Sequence, residues 1–184
     1  MLERLWAGWR NDYVSGSGDG EGGSGEGGSA GGGSGPHPCV FCRILASGEP
    51  DHVTKTLWHG ERCIVLLNAF PYTSGHLMVV PRRHVGALED LDAGEGAEIW
   101  GALTEAVRAL KAAYRPEGVN VGINLGRAAG AGVPGHFHVH ALPRWNGDTN
   151  FMTSVAETRV MPESLDATWH KLRGAWPPSP AASA

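Results

Sequence analysis

The stretch HFHVHALPR, residues 136–144, places three histidines at alternate positions of one short segment. Successive side chains of a β-strand point to opposite faces, so His136, His138 and His140 would share one face, with Phe137 and Val139 on the other. Three imidazoles in a row make poor packing material, because buried polar groups need hydrogen-bond partners. The same row suits catalysis, because an imidazole acts as nucleophile, acid, base or metal ligand near neutral pH. The stretch therefore predicts a strand that carries a chemical site.

The pattern His-x-His-x-His followed by apolar residues resembles the signature of the histidine-triad (HIT) family. The resemblance covers residues 39–151 and includes LNAFP at 67–71, GHLMVVP at 75–81 and PRWNGDTNF at 143–151. That ending, together with LWAGWRNDY at 5–13, resembles the bacterial branch related to diadenosine tetraphosphate (Ap4A) phosphorylases. The resemblance implies an α+β, HIT-like fold.

The composition is that of an ordinary, slightly acidic domain, with 184 residues, a hydrophobic fraction of 41% and a formal net charge of −4. No basic patch is apparent, so we expect no nucleic-acid partner. No apolar run approaches the ~20 residues that a membrane span needs, and the first residues lack the apolar core of a secretion signal. The three cysteines are an odd number in such a chain. The sequence therefore predicts a cytoplasmic protein without disulfides.

The chain divides into four regions by composition. Residues 1–14 form an aromatic N-terminal arm, which we expect to dock because exposed tryptophans are unfavourable. Residues 15–37 are almost entirely Gly, Ser, Asp and Glu, which predicts a disordered linker. Residues 38–176 are expected to form the HIT domain, and residues 177–184 a disordered tail.

The domain is expected to contain an antiparallel five-stranded sheet, one long helix and a short C-terminal helix. An apolar stripe at helical spacing predicts the long helix over Ala93–Tyr114, and Glu163–Ala175 is expected to form the C-terminal helix. Strands are predicted from runs of apolar and β-branched residues at Val53–Trp58, Cys63–Leu67, His76–Val80, Val119–Leu125 and His136–Leu142.

The resemblance implies a nucleotidyl transferase or hydrolase that acts on the α-phosphate of dinucleoside polyphosphates. The middle histidine of the family is the nucleophile, so His138 would form a nucleotidyl-histidine intermediate. His140 would contact the transferred phosphate, or orient its neighbour by hydrogen bonding. The branch favours phosphorolysis of Ap4A to ADP and ATP. The alternatives are a hydrolase of adenosine phosphoramidates or diadenosine polyphosphates, a nucleotide-binding module without turnover, and a zinc-stapled structural protein.

The loop before the triad is rich in small residues, which let backbone N–H groups approach phosphate oxygens. Gly130, Ala131 and Gly132 are therefore candidate phosphate contacts, and Asn124 occupies the place of a phosphate-binding polar residue in the family. The loop lacks the hydroxyl that family members carry there. That absence leaves the acceptor open, and inorganic phosphate is the expected co-substrate.

Four further residues are candidates for a role at the site. The resemblance places Asn68 at the ribose hydroxyls, although a turn-forming role before Ala69 is the alternative. Trp145 could offer a stacking face to adenine or pack in the core. Arg144 could add positive charge beside the triad or point to solvent. His76 resembles the histidine that supports the family's site from a neighbouring strand, and a plain structural role is the alternative.

The spacing Cys39-x-x-Cys42 is typical of half a zinc site, and a redox role is disfavoured because no thioredoxin-like pattern surrounds it. The resemblance implies that His84 and the first triad histidine, His136, supply the other two ligands of a structural Zn²⁺. Cys63 lies in an apolar run and is expected in the core. Family members are usually dimers, so a homodimer or higher homo-oligomer is expected.

Overall fold

A computed structural model describes residues 39–148 and 161–177. The expected N-terminal arm (1–14) and linker (15–37) lie outside the described residues, as does the tail beyond residue 177. Within the described residues the helices and strands follow in the order α1 Val40–Ala46, α2 Asp51–Thr54, β1 Thr56–His59, β2 Cys63–Leu67, β3 Leu77–Pro81, α3 Ala93–Tyr114, β4 Gly118–Ile123, β5 Val139–Arg144 and α4 Leu165–Ala175.

The five strands form one sheet in the order β1-β2-β3-β5-β4, and every neighbouring pair is antiparallel. The predicted α+β architecture, with one long helix and a C-terminal helix, is confirmed. No helix among the described residues has the length and apolar character needed to cross a bilayer.

Both faces of the sheet are covered at its centre. Helices α3 and α4 pack on one face, where the core includes Leu67, Leu77 and Val79. Phe41 of α1 packs on the other face against Ile64, Leu66, Met78 and Val80. Because β2 and β3 are buried on both faces, their sequences are continuous apolar runs rather than alternating patterns.

Helix α3 has the bounds that its apolar stripe predicts. The Asp92 side chain accepts from the Glu95 N–H at 2.8 Å, and the Glu95 side chain accepts from the Asp92 N–H at 3.0 Å. This capping box satisfies two N–H groups that the first turn leaves unpaired. Arg115 ends the helix in the left-handed region at φ +47°, and Pro116 follows. Strong local signals thus fix both ends.

Two predicted strands are wrong in part. The strand predicted over Val53–Trp58 is preceded by α2, and Lys55 at φ +61° separates that helix from β1. The strand predicted from His136 begins only at Val139, because the preceding residues follow the loop and pair irregularly. Thus only His140 of the three histidines lies within a regular strand.

The two edges of the sheet differ. At the β1 edge, α4 contributes two side-chain donors, Trp169 Nε1–H to the Thr56 carbonyl at 2.7 Å and the Arg173 guanidinium to the Leu57 carbonyl at 2.6 Å. Among the described residues, no strand pairs with the outer side of β4. Within the described residues, the backbone groups on the outer side of β4 therefore meet no neighbouring strand.

Candidate active site and metal centre

The three histidines share one side of the sheet as the alternation predicts, and all are buried at 0%, 5% and 6% exposure in chain order. Phe137 and Val139 point to the opposite side, into the core under α3. In the register of the sheet, His140 pairs with Met78 of β3 and with Gly122 of β4. Gly122 has no side chain, so the strand beside His140 leaves room over the imidazole.

The tautomer of His138 follows from its backbone contact. Its Nδ1 lies 2.8 Å from the carbonyl oxygen of His136, and a carbonyl only accepts hydrogen bonds. Nδ1 therefore carries the proton, and Nε2 of the neutral ring carries a lone pair. The geometry gives His138 the form that a nucleophilic imidazole requires.

His140 has the opposite tautomer, set by a chain of hydrogen bonds through His76. The backbone N–H of Tyr72 donates to His76 Nδ1 at 3.1 Å, so the proton of the neutral ring is on Nε2. Nε2–H of His76 then donates to His140 Nδ1 at 2.9 Å. The remaining nitrogen of His140, Nε2, is an N–H donor. It is buried and has no hydrogen-bond partner among the described residues.

Burial, reinforced by the neighbouring His138, lowers the pKa of His140 to about 4. The ring is therefore neutral near pH 7. A neutral N–H donor on His140 beside the Nε2 lone pair of His138 suits a substrate that brings its own negative charge, because the donor can contact a phosphate oxygen without transferring a proton first.

Backbone hydrogen bonds within the loop before the triad stabilise its conformation. The Gly126 carbonyl accepts from the Ala131 N–H at 3.2 Å, and the Arg127 carbonyl accepts from the Gly130 N–H at 2.9 Å. Gly130 has φ +90°, which a glycine adopts without strain. Of the three predicted phosphate contacts, only Gly132 has an N–H without a partner in the described part of the chain.

Asn124 lies just after β4. Ile123 pairs with Val139, so one residue further along the same register Asn124 comes level with His138. Its Nδ2 is 3.9 Å from the position that a Cβ would take at Gly130. The structure thus brings Asn124, the loop and His138 to the same end of the sheet.

The side chain of Asn68 forms a turn, as one of the two interpretations expects. Its Oδ1 accepts from the Phe70 N–H at 2.9 Å, and its Nδ2 lies 3.4 Å from His76 Nδ1. Asn68 thus supports the loop that fixes His76.

Trp145 and Arg144 do not add to the imidazole cluster. The Trp145 ring meets Tyr114 edge-on, with ring centres 6.2 Å apart, at the end of the helix-covered side of the sheet. Arg144 donates to both carboxylate oxygens of Asp148 at 2.6 Å and to Asn120 Oδ1 at 2.8 Å. Its charge is therefore largely compensated by Asp148.

Two aromatic residues beside the histidines were missed by sequence reasoning. Phe41 lies 5.3 Å from His136 and 5.4 Å from His138 between ring centres. Tyr72 lies 4.6 Å from His76 and 6.0 Å from His140. Phe41 stands between the two cysteines of the Cys-x-x-Cys motif, and that position is the one signal that could have placed it near His136.

The four predicted metal ligands form one cluster. Cys39, Cys42, His84 and His136 each offer one ligand atom, and these atoms all lie within 4.8 Å of one another. His136 Nδ1 is 3.3 Å from Cys39 Sγ and 3.6 Å from Cys42 Sγ, and His84 Nδ1 is 3.3 Å from both Cys42 Sγ and His136 Nδ1. Tetrahedral zinc separates sulfur and nitrogen ligands by roughly 3.3–3.8 Å, from metal–ligand bonds of about 2.0–2.3 Å. The donor set and these four distances therefore fit a four-coordinate ion.

The protonation state of His136 is also the one that a metal ligand requires. Its Nε2 lies 2.8 Å from the Pro81 carbonyl oxygen, so Nε2 carries the proton and Nδ1 keeps the lone pair that faces the cysteines. Burial lowers the pKa of His136, which keeps the ring neutral. The Phe137 N–H donates to the Val85 carbonyl at 2.6 Å, and this bond joins the segment of His84 to the segment of His136.

Comparison with known proteins agrees with the fold. A family model for the HIT domain matches residues 49–147. A protein named AP-4-A phosphorylase from Mycobacterium tuberculosis is 45% identical over 121 residues, which are 66% of this chain and 62% of that protein. The chain thus spans less than two thirds of that relative's length. An uncharacterised HIT-like protein of the same species is 34% identical over 140 residues, or 75% of this chain and 92% of that protein.

Solved structures give the same result. A zinc-bound histidine triad family protein from Mycobacterium smegmatis superposes with a TM-score of 0.61 at 30% identity, over 75% of this chain and 92% of that one. A hypothetical histidine triad nucleotide-binding protein from Sulfolobus tokodaii has a TM-score of 0.61 at 25% identity, over 74% and 91%. With the family match over more than half of its length, the chain belongs to the HIT family.

Proposed function

We propose that this protein is a nucleotidyl transferase that cleaves dinucleoside polyphosphates through a nucleotidyl-His138 intermediate, and that its reaction is the phosphorolysis of Ap4A to ADP and ATP. The observation that carries the proposal is the opposite tautomers of two adjacent imidazoles. His138 presents a lone pair at Nε2, and His140 presents an N–H at Nε2. The 45%-identical relative named AP-4-A phosphorylase supports the choice of substrate.

The proposed reaction has two steps. In the first, His138 Nε2 attacks the α-phosphorus of Ap4A, the bond to the bridging oxygen breaks, and ATP leaves with that oxygen. The His140 N–H stabilises the charge on the phosphoryl oxygens. In the second, an oxygen of inorganic phosphate attacks the same phosphorus, the P–N bond breaks, and ADP forms. His138 returns to its starting form.

We propose phosphate as the acceptor because Gly130, Ala131 and Gly132 of the loop before the triad are all small. Ala131 and Gly132 stand where hydrolytic relatives place larger polar side chains, and the Gly132 N–H has no partner among the described residues. Small side chains leave room for a second anion next to backbone donors.

Incubation with Ap4A, with and without millimolar inorganic phosphate, tests the proposal when the products are identified. The proposal expects ADP plus ATP, with ADP rising and AMP falling as phosphate increases. AMP plus ATP at every phosphate concentration would instead identify a hydrolase, and binding without any product would identify a nucleotide-binding module. His138→Ala is the negative control for contaminating activity.

We further propose that Cys39, Cys42, His84 and His136 hold a structural Zn²⁺. Four protein donors would complete the coordination of a bound ion, which is typical of structural rather than catalytic zinc. Bound there, the ion would supply folding free energy by holding α1 against the loop of His84 and the start of the triad.

We also propose a homodimer that uses the β4 edge. Val121, Ile123 and Leu125 are 47%, 39% and 46% exposed on and just after this strand. An apolar strand edge is a template for pairing with another chain, and a second copy would cover it. The acidic net charge of −4 gives no support to a nucleic-acid partner.

A further inference from the structure

A cavity of about 250 Å³ lies beside the loop that joins β2 to β3. Its walls come from this loop and from the C-terminal part of the chain, and its apolar lining includes Leu67, Pro71, Met161 and Leu165. Leu67 belongs to the core on the helix-covered side of the sheet, whereas the triad histidines lie on the other side. The cavity therefore opens on the opposite side of the sheet from the three triad histidines, although it shares the lining residue His76 with their hydrogen-bond network.

One polar group of the wall lacks a partner. Ser74 is 5% exposed, and its Oγ is buried without a hydrogen-bond partner in the described part of the chain. Glu163 is a charged side chain of the same wall. It accepts from the Thr168 hydroxyl at 3.0 Å, from Lys171 at 2.5 Å and from the Tyr114 hydroxyl. Glu163 is thus satisfied within the protein, and Ser74 is the group that a ligand could pair with.

We propose that this cavity is a second ligand site, for a small uncharged aromatic molecule of bicyclic size with one hydrogen-bonding group that pairs with Ser74. A dry protein cavity of about 150 Å³ accommodates benzene, so a volume of about 250 Å³ admits two fused rings. The ligand is uncharged because the mostly apolar wall would leave a charge unpaired. A partner for the Ser74 hydroxyl removes the cost of its unmade hydrogen bond.

The site would communicate with the catalytic side through one residue. His76 lines the cavity, and its Nε2 donates to His140 Nδ1 at 2.9 Å. The loop that forms one wall also carries Asn68, whose side chain supports His76. The proposal concerns binding alone and does not depend on which nucleotide reaction the triad performs.

Indole is a suitable probe, because it is uncharged, bicyclic and carries a single N–H. Titration of the full chain with indole by calorimetry is expected to show saturable binding of one equivalent. In NMR spectra, the imidazole signals of His76 are expected to shift with the same affinity. The signals of His59, which lies on the surface beside Asp51, are the internal control and should not move.

Two substitutions at Ser74 test separately the hydrogen bond of its hydroxyl and the free volume of the cavity. Ser74→Ala removes the hydroxyl and should weaken binding about fivefold, the value of one neutral hydrogen bond. Ser74→Leu fills the space and should abolish saturable binding. Leu165→Trp fills the same cavity from α4 and replaces Ser74→Leu if that variant does not fold. Thr104→Leu, on the exposed side of α3, is the matched control and should bind as the wild type does.

The outcomes that overturn the proposal are equally specific. Absence of saturable indole binding to the wild type would mean that the cavity holds water only. Binding that survives in both filling variants would place the indole elsewhere on the protein.

Discussion

Nε2 of His76 lies 2.9 Å from Nδ1 of His140, and this contact decides which nitrogen of His140 carries its proton. The backbone N–H of Tyr72 holds the other nitrogen of His76 as an acceptor, at 3.1 Å. The loop between β2 and β3 therefore sets the hydrogen-bonding role of a residue on β5, 64 positions further along the chain. We propose that His76 is a positioning residue, which would act on a substrate through its hydrogen bond to His140.

Replacing His76 tests this relay. His76→Leu removes the donor to His140, so the proton of His140 is free to move to Nδ1 and the donor at Nε2 is lost. We expect kcat to fall about tenfold, the value of one hydrogen bond to a charged phosphate, while KM changes less. His76→Gln keeps an N–H donor and should recover part of the rate. Equal rates for the Leu and Gln variants would contradict a role in hydrogen bonding.

Protonation of His140 makes stability depend on pH in a defined window. Its pKa is about 4 in the folded protein and about 6.5 when unfolded, so between these values the unfolded chain binds more protons. The free energy of unfolding contributed by His140 is present above about pH 6.5 and is lost as the pH falls through about 4. Urea denaturation at pH 7, 6 and 5 should therefore show that the free energy of unfolding falls less with decreasing pH for His140→Gln than for the wild type. Both proteins keep the same metal ligands, so acid release of metal affects both alike.

His138→Ala should abolish turnover and leave the fold intact. The side chain is the proposed nucleophile, and no other imidazole in the cluster presents an unprotonated nitrogen to the substrate. We expect the rate of Ap4A cleavage to fall by about 100-fold or more. His59→Ala, at an exposed histidine, is the matched control and should keep full activity. Residual activity of more than a few per cent of the wild-type rate in a folded His138→Ala protein would remove His138 from the role of nucleophile.

The elements that the sequence predicts well are those with strong local signals. Helix α3 matches its prediction at both ends because a capping box, an apolar stripe and Pro116 lie within its own sequence. Helix α1 was not anticipated, because its seven residues gain stability mainly from Phe41 packing on the sheet, which is a tertiary contact. The strand predicted over Val53–Trp58 failed in its first half, where Val53 is 53% exposed and its apolar character is not used for packing.

For the candidate site, the sequence predicted which residues come together but not how their imidazoles are protonated. The motif placed His136, His138 and His140, and spacing together with resemblance grouped the four candidate metal ligands whose side chains the structure brings together. The tautomers could not be predicted, because they depend on contacts such as the Pro81 carbonyl with His136, 55 positions apart. Trp145 shows the limit of reasoning from position: it follows the triad closely, yet its ring lies against Tyr114.

Disruption of the β4 edge tests the proposed dimer. Val121 is 47% exposed in the single chain, and a second copy paired along β4 would bury it. Val121→Asp places a charge in that interface and should convert the dimer to a monomer in light scattering after size-exclusion chromatography. Val53→Asp, at a 53%-exposed valine far from β4 in the sheet order, should leave the mass unchanged. A wild type that is monomeric at micromolar concentration would contradict the dimer directly.

Removal of the metal tests the proposed zinc centre. Protein purified without added zinc is expected to contain one zinc per chain, and a chelator should lower its melting temperature, because the ion joins three separate segments of the chain. His84→Ala leaves three ligands and should reduce the zinc content at least about tenfold. His52→Ala, at an exposed histidine, should leave the zinc content unchanged. His84, a candidate ligand, takes no part in the His76–His140 hydrogen bond. Its replacement therefore tests the effect of the metal on stability apart from the proposed catalysis. We therefore expect His84→Ala to lower the melting temperature. The effect on kcat, measured well below that temperature, should be smaller. A zinc content near zero in the wild type would show that the four side chains cluster without a metal.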